Sequence, residues 1–183
     1  MKYWSKSTLS IYRYLETMST SIDKIVLNTG RSSNSCELQK YQTTYFQTSK
    51  IIELIDRKRK MINLKIGCEQ ALQKIPLQSR KILMLFYIDG VKGEFVAQLL
   101  GISIRTFFRQ KLKALKEFCE ALEQVGFTLG FFEKEYGNEK WLLSLYDDCV
   151  AKSGVKEYLP DNYLIHRVIN EVSKVNLAYN TYI

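Results

Sequence analysis

The sequence predicts an all-α protein, a helical bundle organised around a short helix, a glycine turn and a longer helix at its centre. Three observations carry that expectation. Apolar residues recur at three- and four-residue spacing almost throughout, the period of a buried helix face. Two prolines and nine glycines in 183 residues are too few for a turn-rich β-sandwich. The strongest helix start and stop signals cluster in residues 75–123.

Composition narrows the class further. With 46% hydrophobic and 25% charged residues the chain reads as a soluble globular protein, one domain or one core with an appendage. The net charge of +8 is unevenly spread: residues 1–123 hold 21 Lys and Arg against 11 Asp and Glu, and residues 124–183 hold 6 against 8. The sequence contains no apolar run of membrane-spanning length. Its start is too polar for the apolar core of a signal peptide, so a cytoplasmic protein with no membrane partner is expected. Cys36, Cys68, Cys119 and Cys149 are far apart and His166 is the single histidine, which is not the spacing of a zinc site. The cysteines read as reduced, Cys68 and Cys119 as core filler, and neither a metal nor a cofactor is expected.

Taken in order, residues 1–74 form an N-terminal helical region. Residues 7–28 carry Leu9, Ile11, Tyr12, Tyr14, Leu15, Met18, Ile22, Ile25, Val26 and Leu27, enough for one or two helices with a break near Ser19-Thr20-Ser21. NTGRSSNS, residues 28–35, is the clearest loop. A long helix over residues 37–74 follows, with Tyr41, Tyr45, Ile52, Leu54, Ile55, Ile62, Leu64, Ile66, Ala71, Leu72 and Ile75 as candidate buried positions. Its cluster Arg57-Lys58-Arg59-Lys60 wraps around the helix and reads either as a phosphate contact or as a solubilising surface. Helical spacing favours core packing over base stacking for the aromatics Trp4, Tyr12, Tyr14, Tyr41, Tyr45 and Phe46.

Residues 75–123 carry the central unit. Pro76 suits the first turn of a helix, where its missing N–H has no helical partner. Ile82, Leu83, Leu85, Phe86 and Tyr87 give that helix a broad apolar face, and Asp89-Gly90 breaks it. A second helix is expected over residues 92–100, with Phe95, Val96, Leu99 and Leu100 on one apolar side. Gly101 accepts the left-handed backbone of a C-terminal cap, Ile102 plugs the corner, and Ser103 caps the third helix. Such a unit has the shape of a helix-turn-helix. On the third helix Arg105, Arg109, Lys113 and Lys116 stack along one face, and Phe108, Leu112, Leu115, Cys119 and Leu122 form a separate stripe towards the core. Phe107 lies beside the basic face and reads as core. From Ser103 to Lys116 there are five basic residues, Lys111 included, and no acidic one, so the helix suits a phosphate-lined groove better than self-stabilising ion pairs.

Ile75-Pro76 with Arg80-Lys81-Ile82-Leu83, Leu85 and Tyr87, followed by Val96-Ala97 and Leu100-Gly101-Ile102-Ser103, resembles region 4 of sigma-70-type transcription factors. The string ISIRTFFRQKLKAL is most similar to ArpU-type phage transcriptional regulators and other small sigma-like factors of Gram-positive bacteria. The resemblance spans residues 50–123 and is strongest over 75–118. It implies duplex-DNA binding in transcription, with RNA polymerase as a candidate partner, in a bacterial or phage-infected cell. Lys92-Gly93 stands where the family usually has Ser or Thr followed by an apolar residue. No counterpart of the promoter-melting region precedes the unit.

In the DNA-binding reading Arg105, Thr106 and Arg109 contact bases, and Lys92, Ser103, Lys113 and Lys116 contact phosphates. The alternative is a protein-interaction adaptor that uses a sigma-like fold to hold RNA polymerase or another regulator without reading sequence. An enzyme is not expected: the sequence has no Gly-rich phosphate loop, no G-x-S-x-G elbow and no H-E-x-x-H. Residues 124–183 complete the chain. Gly126 and Gly130 read as a hinge-like turn docked by Phe127, Phe131 and Phe132. Helices are expected over 139–152, closed by Ser153-Gly154, and over 161–175, capped by Asp161 after Pro160. The stripe Trp141, Leu142, Leu145, Tyr146, Cys149 and Val150 either folds back on the body, dimerises or holds a partner. The acidic Asp147-Asp148 edge makes this end the candidate for protein contacts, and a homodimer a candidate assembly.

Overall fold

The computed structural model describes residues 2–32, 40–151, 167–168 and 170; every element among them is helical. The expected loop residues 33–35, Cys36, the start of the expected long helix at 37–39, Ser153-Gly154, the Asp161 cap, His166 and most of the 161–175 helix lie outside the described residues, as does the side chain of Tyr41.

Two helices open the chain, α1 (Lys2–Tyr12) and α2 (Leu15–Ser32). The break falls at Arg13-Tyr14, not at Ser19-Thr20-Ser21. There the hydroxyls fold back onto their own helix, Thr20 donating to the Glu16 carbonyl at 3.0 Å and Ser21 to Thr17 at 2.8 Å, so they compete with the ladder without ending it. Thr29 does the same to Ile25, and α2 runs through Asn28–Ser32, where a loop was expected.

The long helix α3 (Lys40–Lys74) is the spine. Leu54, Met61, Leu64, Cys68, Ala71 and Leu72 face the core, a heptad-like seam that α1, α2 and the later helix Ile104–Gln124 cover. Tyr45, Ile52, Ile55, Ile62 and Ile66 were expected to be buried and are exposed instead, because they occupy a second seam that the described residues leave open except at Arg59, which Glu135 meets at 3.8 Å. The cluster at 57–60 is paired within the chain. Arg57 pairs with Glu53 at 2.8 Å and Glu139 at 3.6 Å, Lys58 with Asp23 at 2.6 Å, Arg59 with Asp56 at 2.7 Å, and Lys60 with Glu139 at 2.8 Å. It braces α3 to α2 and to the start of α8.

The centre follows its sequence signals closely. Helix α4 (Leu77–Leu83), with Pro76 at its N-cap, continues as a π-helical turn, Met84–Ile88, and stops at Gly90, φ +69°. Arg80 turns back to donate to the Gln73 carbonyl at 2.9 Å, satisfying an orphan acceptor at the end of α3. Helices α5 (Gly93–Leu99) and α6 (Ile104–Gln124) follow. Gly126, φ +95°, ends α6 in a turn where Phe127 donates to the Leu122 carbonyl at 2.9 Å and Gly126 to Glu123 at 3.0 Å. Gly130 is not part of that turn; it lies inside α7 (Leu129–Tyr136), whose N-cap is Thr128.

Helix α8 (Lys140–Ala151) folds back onto α1, burying Trp141, Leu142, Leu145 and Cys149. Of the three alternatives for this stripe, fold-back is what the structure shows; Val150 stays exposed. The dock is aromatic: Trp4 stacks on Phe132 with centroids 5.0 Å apart and meets Tyr146 at 4.5 Å. One hydrophobic core runs from Trp4 through Phe107 to Trp141 and includes Val168. Cys68 is fully buried and Cys119 half-buried.

Candidate functional site

The site is assembled by α5, its turn and α6. Helix α5 starts at Lys92, whose side chain makes no cap bond, and gains what dipole support it has from Glu94 in its first turn. It ends at Gly101, φ +64°, with Ile102 donating to the Ala97 carbonyl at 3.0 Å and Gly101 to Gln98 at 3.1 Å. This paired pattern is a Schellman turn, and it needs a residue that tolerates left-handed backbone. A Cβ at Gly101 would meet nothing within 4 Å, so the requirement is conformational and not steric. Ser103 then caps α6: its Oγ accepts the Thr106 N–H at 3.2 Å and lies 2.8 Å from Thr106 Oγ1.

The body holds α6 by Phe107, Ala114, Leu115, Phe118, Ala121 and Leu122. Phe107 is fully buried and packs 5.8 Å from Phe86 of the π-helical turn, as expected for a core residue. The apolar stripe is therefore rotated from the expected one. Leu112 is 58% exposed, and Phe108 and Cys119 are only half-buried. Lys111 also differs from its neighbours. It is buried, with its ammonium 3.9 Å from the Phe86 ring centroid and 4.9 Å from that of Phe108, a cation–π setting worth up to about 2 kcal/mol when desolvated.

Four of the five basic side chains of α6 remain outside. Arg105 and Arg109 are exposed, one turn apart, and among the described residues no carboxylate lies within ion-pairing distance of either. Lys92 is exposed and equally unmatched. Lys113 and Lys116 do have partners, against expectation: Glu117 at 3.7 Å and Glu120 at 3.9 Å, each four residues on. With side chains 76% and 81% exposed, both lysines sit in weak surface pairs, worth about 0.3–0.5 kcal/mol each.

The structure thus brings Arg105, Arg109, Lys113 and Lys116 onto one face of α6, with Lys92 at the start of α5. Ser103 is exposed but its hydroxyl is committed to the cap. Thr106 is half-buried, its hydroxyl held by Ser103 and its methyl left as the free chemistry. Sequence reasoning missed that Leu112 belongs to the basic face, three residues after Arg109 and four before Lys116. It also missed that Phe95 and Leu99 of α5 are 56% and 68% exposed. The signal available was phase: Phe107, Lys111, Ala114 and Phe118 share one helical face, which places Leu112 on another.

The arrangement can present a convex cationic ridge with an apolar centre to a polyanion. Comparison with known proteins finds no matching family model, no matching curated protein and no matching solved structure.

Proposed function

We propose that the chain is a duplex-DNA-binding transcriptional regulator of the sigma-like type, reading the major groove through the exposed face of α6. The observation that carries this reading is the pair Arg105 and Arg109, exposed and unmatched by any described carboxylate, on a helix held rigidly by the Schellman turn at Gly101 and the Ser103 cap. The resemblance of residues 75–118 to sigma region 4 supports it. Each arginine has the reach and fork geometry for a bidentate guanine contact, worth roughly 1–3 kcal/mol of discrimination. Lys92, Lys113 and Lys116 neutralise phosphates, and Leu112 and the Thr106 methyl offer apolar contact to thymine methyls.

Selection of bound duplexes from a random library, with affinity followed over a salt series, tests the proposal. The expected result is an enriched motif that Arg105→Ala and Arg109→Ala relax. Lys116→Ala should weaken all duplexes alike and lower the salt slope by about 0.9. No duplex binding at low salt would overturn it. A second reading, an adaptor that holds RNA polymerase or another regulator, is favoured by Phe95 and Leu99, two large apolar side chains exposed on α5 beside the basic helix. Partner capture that survives Arg105→Ala with Arg109→Ala, and fails on Phe95→Ala with Leu99→Ala, would select the adaptor.

A further inference from the structure

Helix α3 carries two apolar seams, and among the described residues only the inner one is covered by other helices. The inner seam packs into the core. The outer one runs Tyr45, Thr48, Ile52, Ile55, Arg59, Ile62 and Ile66, with alternating spacings of three and four residues over three heptads. This is the a/d pattern by which one helix inserts its side chains between those of another. Its apolar members stay in solvent: Tyr45 is 81% exposed, Ile52 62%, Ile55 53%, Ile62 42% and Ile66 47%. A scattering of exposed apolar residues is ordinary; five on one register of one 35-residue helix is not.

We infer that the outer seam of α3 is a homodimer interface, in which the occupant is α3 of a second copy. Three features favour a second copy over an unrelated partner. First, a knobs-into-holes seam needs a partner helix with the same spacing over the same length, and α3 supplies one by symmetry, since a two-fold interface uses one patch on both subunits. From residue 45 to 66 the seam is about 30 Å long at 1.5 Å per residue.

Second, the area suffices. One aromatic of about 150–250 Å² and four half-exposed isoleucines give a face on the order of 500 Å², the upper end of what a monomer tolerates. Two such faces together bury about 1,000 Å², the least that a specific interface needs. The dimer is therefore expected to be reversible and in the micromolar range.

Third, the one charge in the seam is already matched. Arg59 donates to Asp56 through Nε at 3.0 Å and through a terminal nitrogen at 2.7 Å, and lies 3.8 Å from Glu135. Two copies meeting there bring together internally paired clusters, not two bare cations. A charged position inside a seam that is otherwise apolar but for Thr48 is a means of fixing register. This inference is independent of the DNA-binding reading.

The test is sedimentation equilibrium of the full chain over a concentration series, with Ile55→Glu and Ile62→Glu. Because both isoleucines are exposed, neither change should alter the far-ultraviolet circular dichroism or the melting temperature at low concentration. Each should weaken self-association by about 100-fold or more, since the interface would then bury an unpaired carboxylate in both copies. Ile55→Ala and Ile62→Ala, which add no charge, should weaken it by roughly tenfold each and keep the result readable should a glutamate variant fail to fold. A wild-type chain that stays monomeric at about 100 μM would overturn the inference, as would a dimer indifferent to all four changes. Glutamate variants that unfold at concentrations where the wild type is monomeric, with alanine variants that self-associate as the wild type does, would also overturn it, showing the seam to be covered within the chain.

Discussion

Gly67 offers a test in which two known effects of opposite sign compete. It lies well inside α3, where replacing glycine by alanine ordinarily stabilises a helix by about 0.8–1.0 kcal/mol. Here a Cβ would overlap the Phe127 ring, and even the third-nearest ring atom, Cδ2, would be only 2.9 Å away. Yielding is costly for that ring. Its backbone is fixed by the turn at Gly126, where the Phe127 N–H donates to the Leu122 carbonyl at 2.9 Å. The ring itself packs against Phe131 and Phe132 with centroids at 4.9 and 5.7 Å. Overpacking of this kind costs about 1–3 kcal/mol, so it wins. Gly67→Ala should destabilise the protein by about 1 kcal/mol net, a fall in melting temperature of about 2–4 °C for a chain of this length.

The decisive arm is the background without the ring. Phe127→Ala alone should cost about 3–5 kcal/mol, the usual loss for a buried aromatic. In that background the overlap is gone, and Gly67→Ala should change sign and stabilise by nearly 1 kcal/mol. The coupling between the two positions is then about 2 kcal/mol, within the range for residues in contact. Urea titrations of the four proteins, fitted for midpoint and slope, measure it. If Gly67→Ala stabilises the wild-type background as well, the ring gives way freely and the reasoning about the contact between α3 and Phe127 is wrong.

Glu139 is buried and holds Lys60 at 2.8 Å, Arg57 at 3.6 Å and the Trp141 Nε1–H at 2.8 Å, so Glu139→Gln should cost about 3–5 kcal/mol and lower the melting temperature, while Glu135→Gln at the exposed end of the same network should cost under about 1 kcal/mol. The same brace sets a pH window. Partial burial alone would raise the Asp56 carboxyl, but hydrogen bonds from Arg59 and Lys60 outweigh it and hold its pKa below the usual value. Its contribution is present above about pH 4 and lost as pH falls through the depressed folded value. For Lys60, burial alone would lower the pKa, yet the bonds to Glu139 and Asp56 raise it; that contribution is present below about pH 10.4 and lost as pH rises through the raised value. Thermal melts should therefore lose this brace's contribution below the acid limit and above the alkaline one, and Asp56→Asn should shrink the acid-side loss. Ser103→Ala should cost about 1 kcal/mol by removing the α6 cap, with Ser103→Asp retaining most of it; equal melting temperatures for both variants would mean the cap contributes nothing.

The centre of the molecule was legible because its signals are local. Pro76, Gly90, Gly101 and Ser103 act through their own backbone or over three residues, and each sits at the helix boundary it announces. What could not be read is what depends on distant partners. Periodicity showed α3 to be apolar on more than one face, but not which face the rest of the chain would cover; Leu54 and Ile55 are neighbours in sequence, one fully buried and the other 53% exposed. The break at Arg13-Tyr14 carries no glycine or proline, while the Ser-Thr-Ser run that resembled a break satisfies its hydroxyls within the helix. Lys111 was counted in the positive charge of the helix, though not placed on its basic face. Its burial depends on Phe86, twenty-five residues earlier, which the π-helical turn carries into the core against Phe107. At the site itself the exposed faces of Arg105 and Arg109 followed from phase alone, but the carboxylates facing Lys113 and Lys116 lay one and four residues beyond the stretch whose charge was counted.

The two basic clusters show why a count of charge does not locate a polyanion site. Residues 57–60 hold four consecutive cations, more than any window of α6, yet each is matched at 2.6–2.8 Å by a carboxylate, two of them, Asp23 and Glu139, from outside α3. A phosphate approaching that cluster would have to displace Glu139 from a largely buried position, and the binding energy would be spent restoring what was lost. Arg105, Arg109 and Lys92 have no such partner among the described residues. Lys113 and Lys116 have only exposed ones, whose rupture costs a few tenths of a kcal/mol. What a polyanion can gain is set by how many cations still hold mobile counterions to release, and that quantity is higher on α6 than on α3 although the sequence density of charge runs the other way. The same reasoning separates the two surfaces in role. In the proposed dimer the internally neutralised charge of α3 lets its apolar seam face a second copy, and in the proposed DNA-binding reading the unneutralised charge of α6 meets the phosphates.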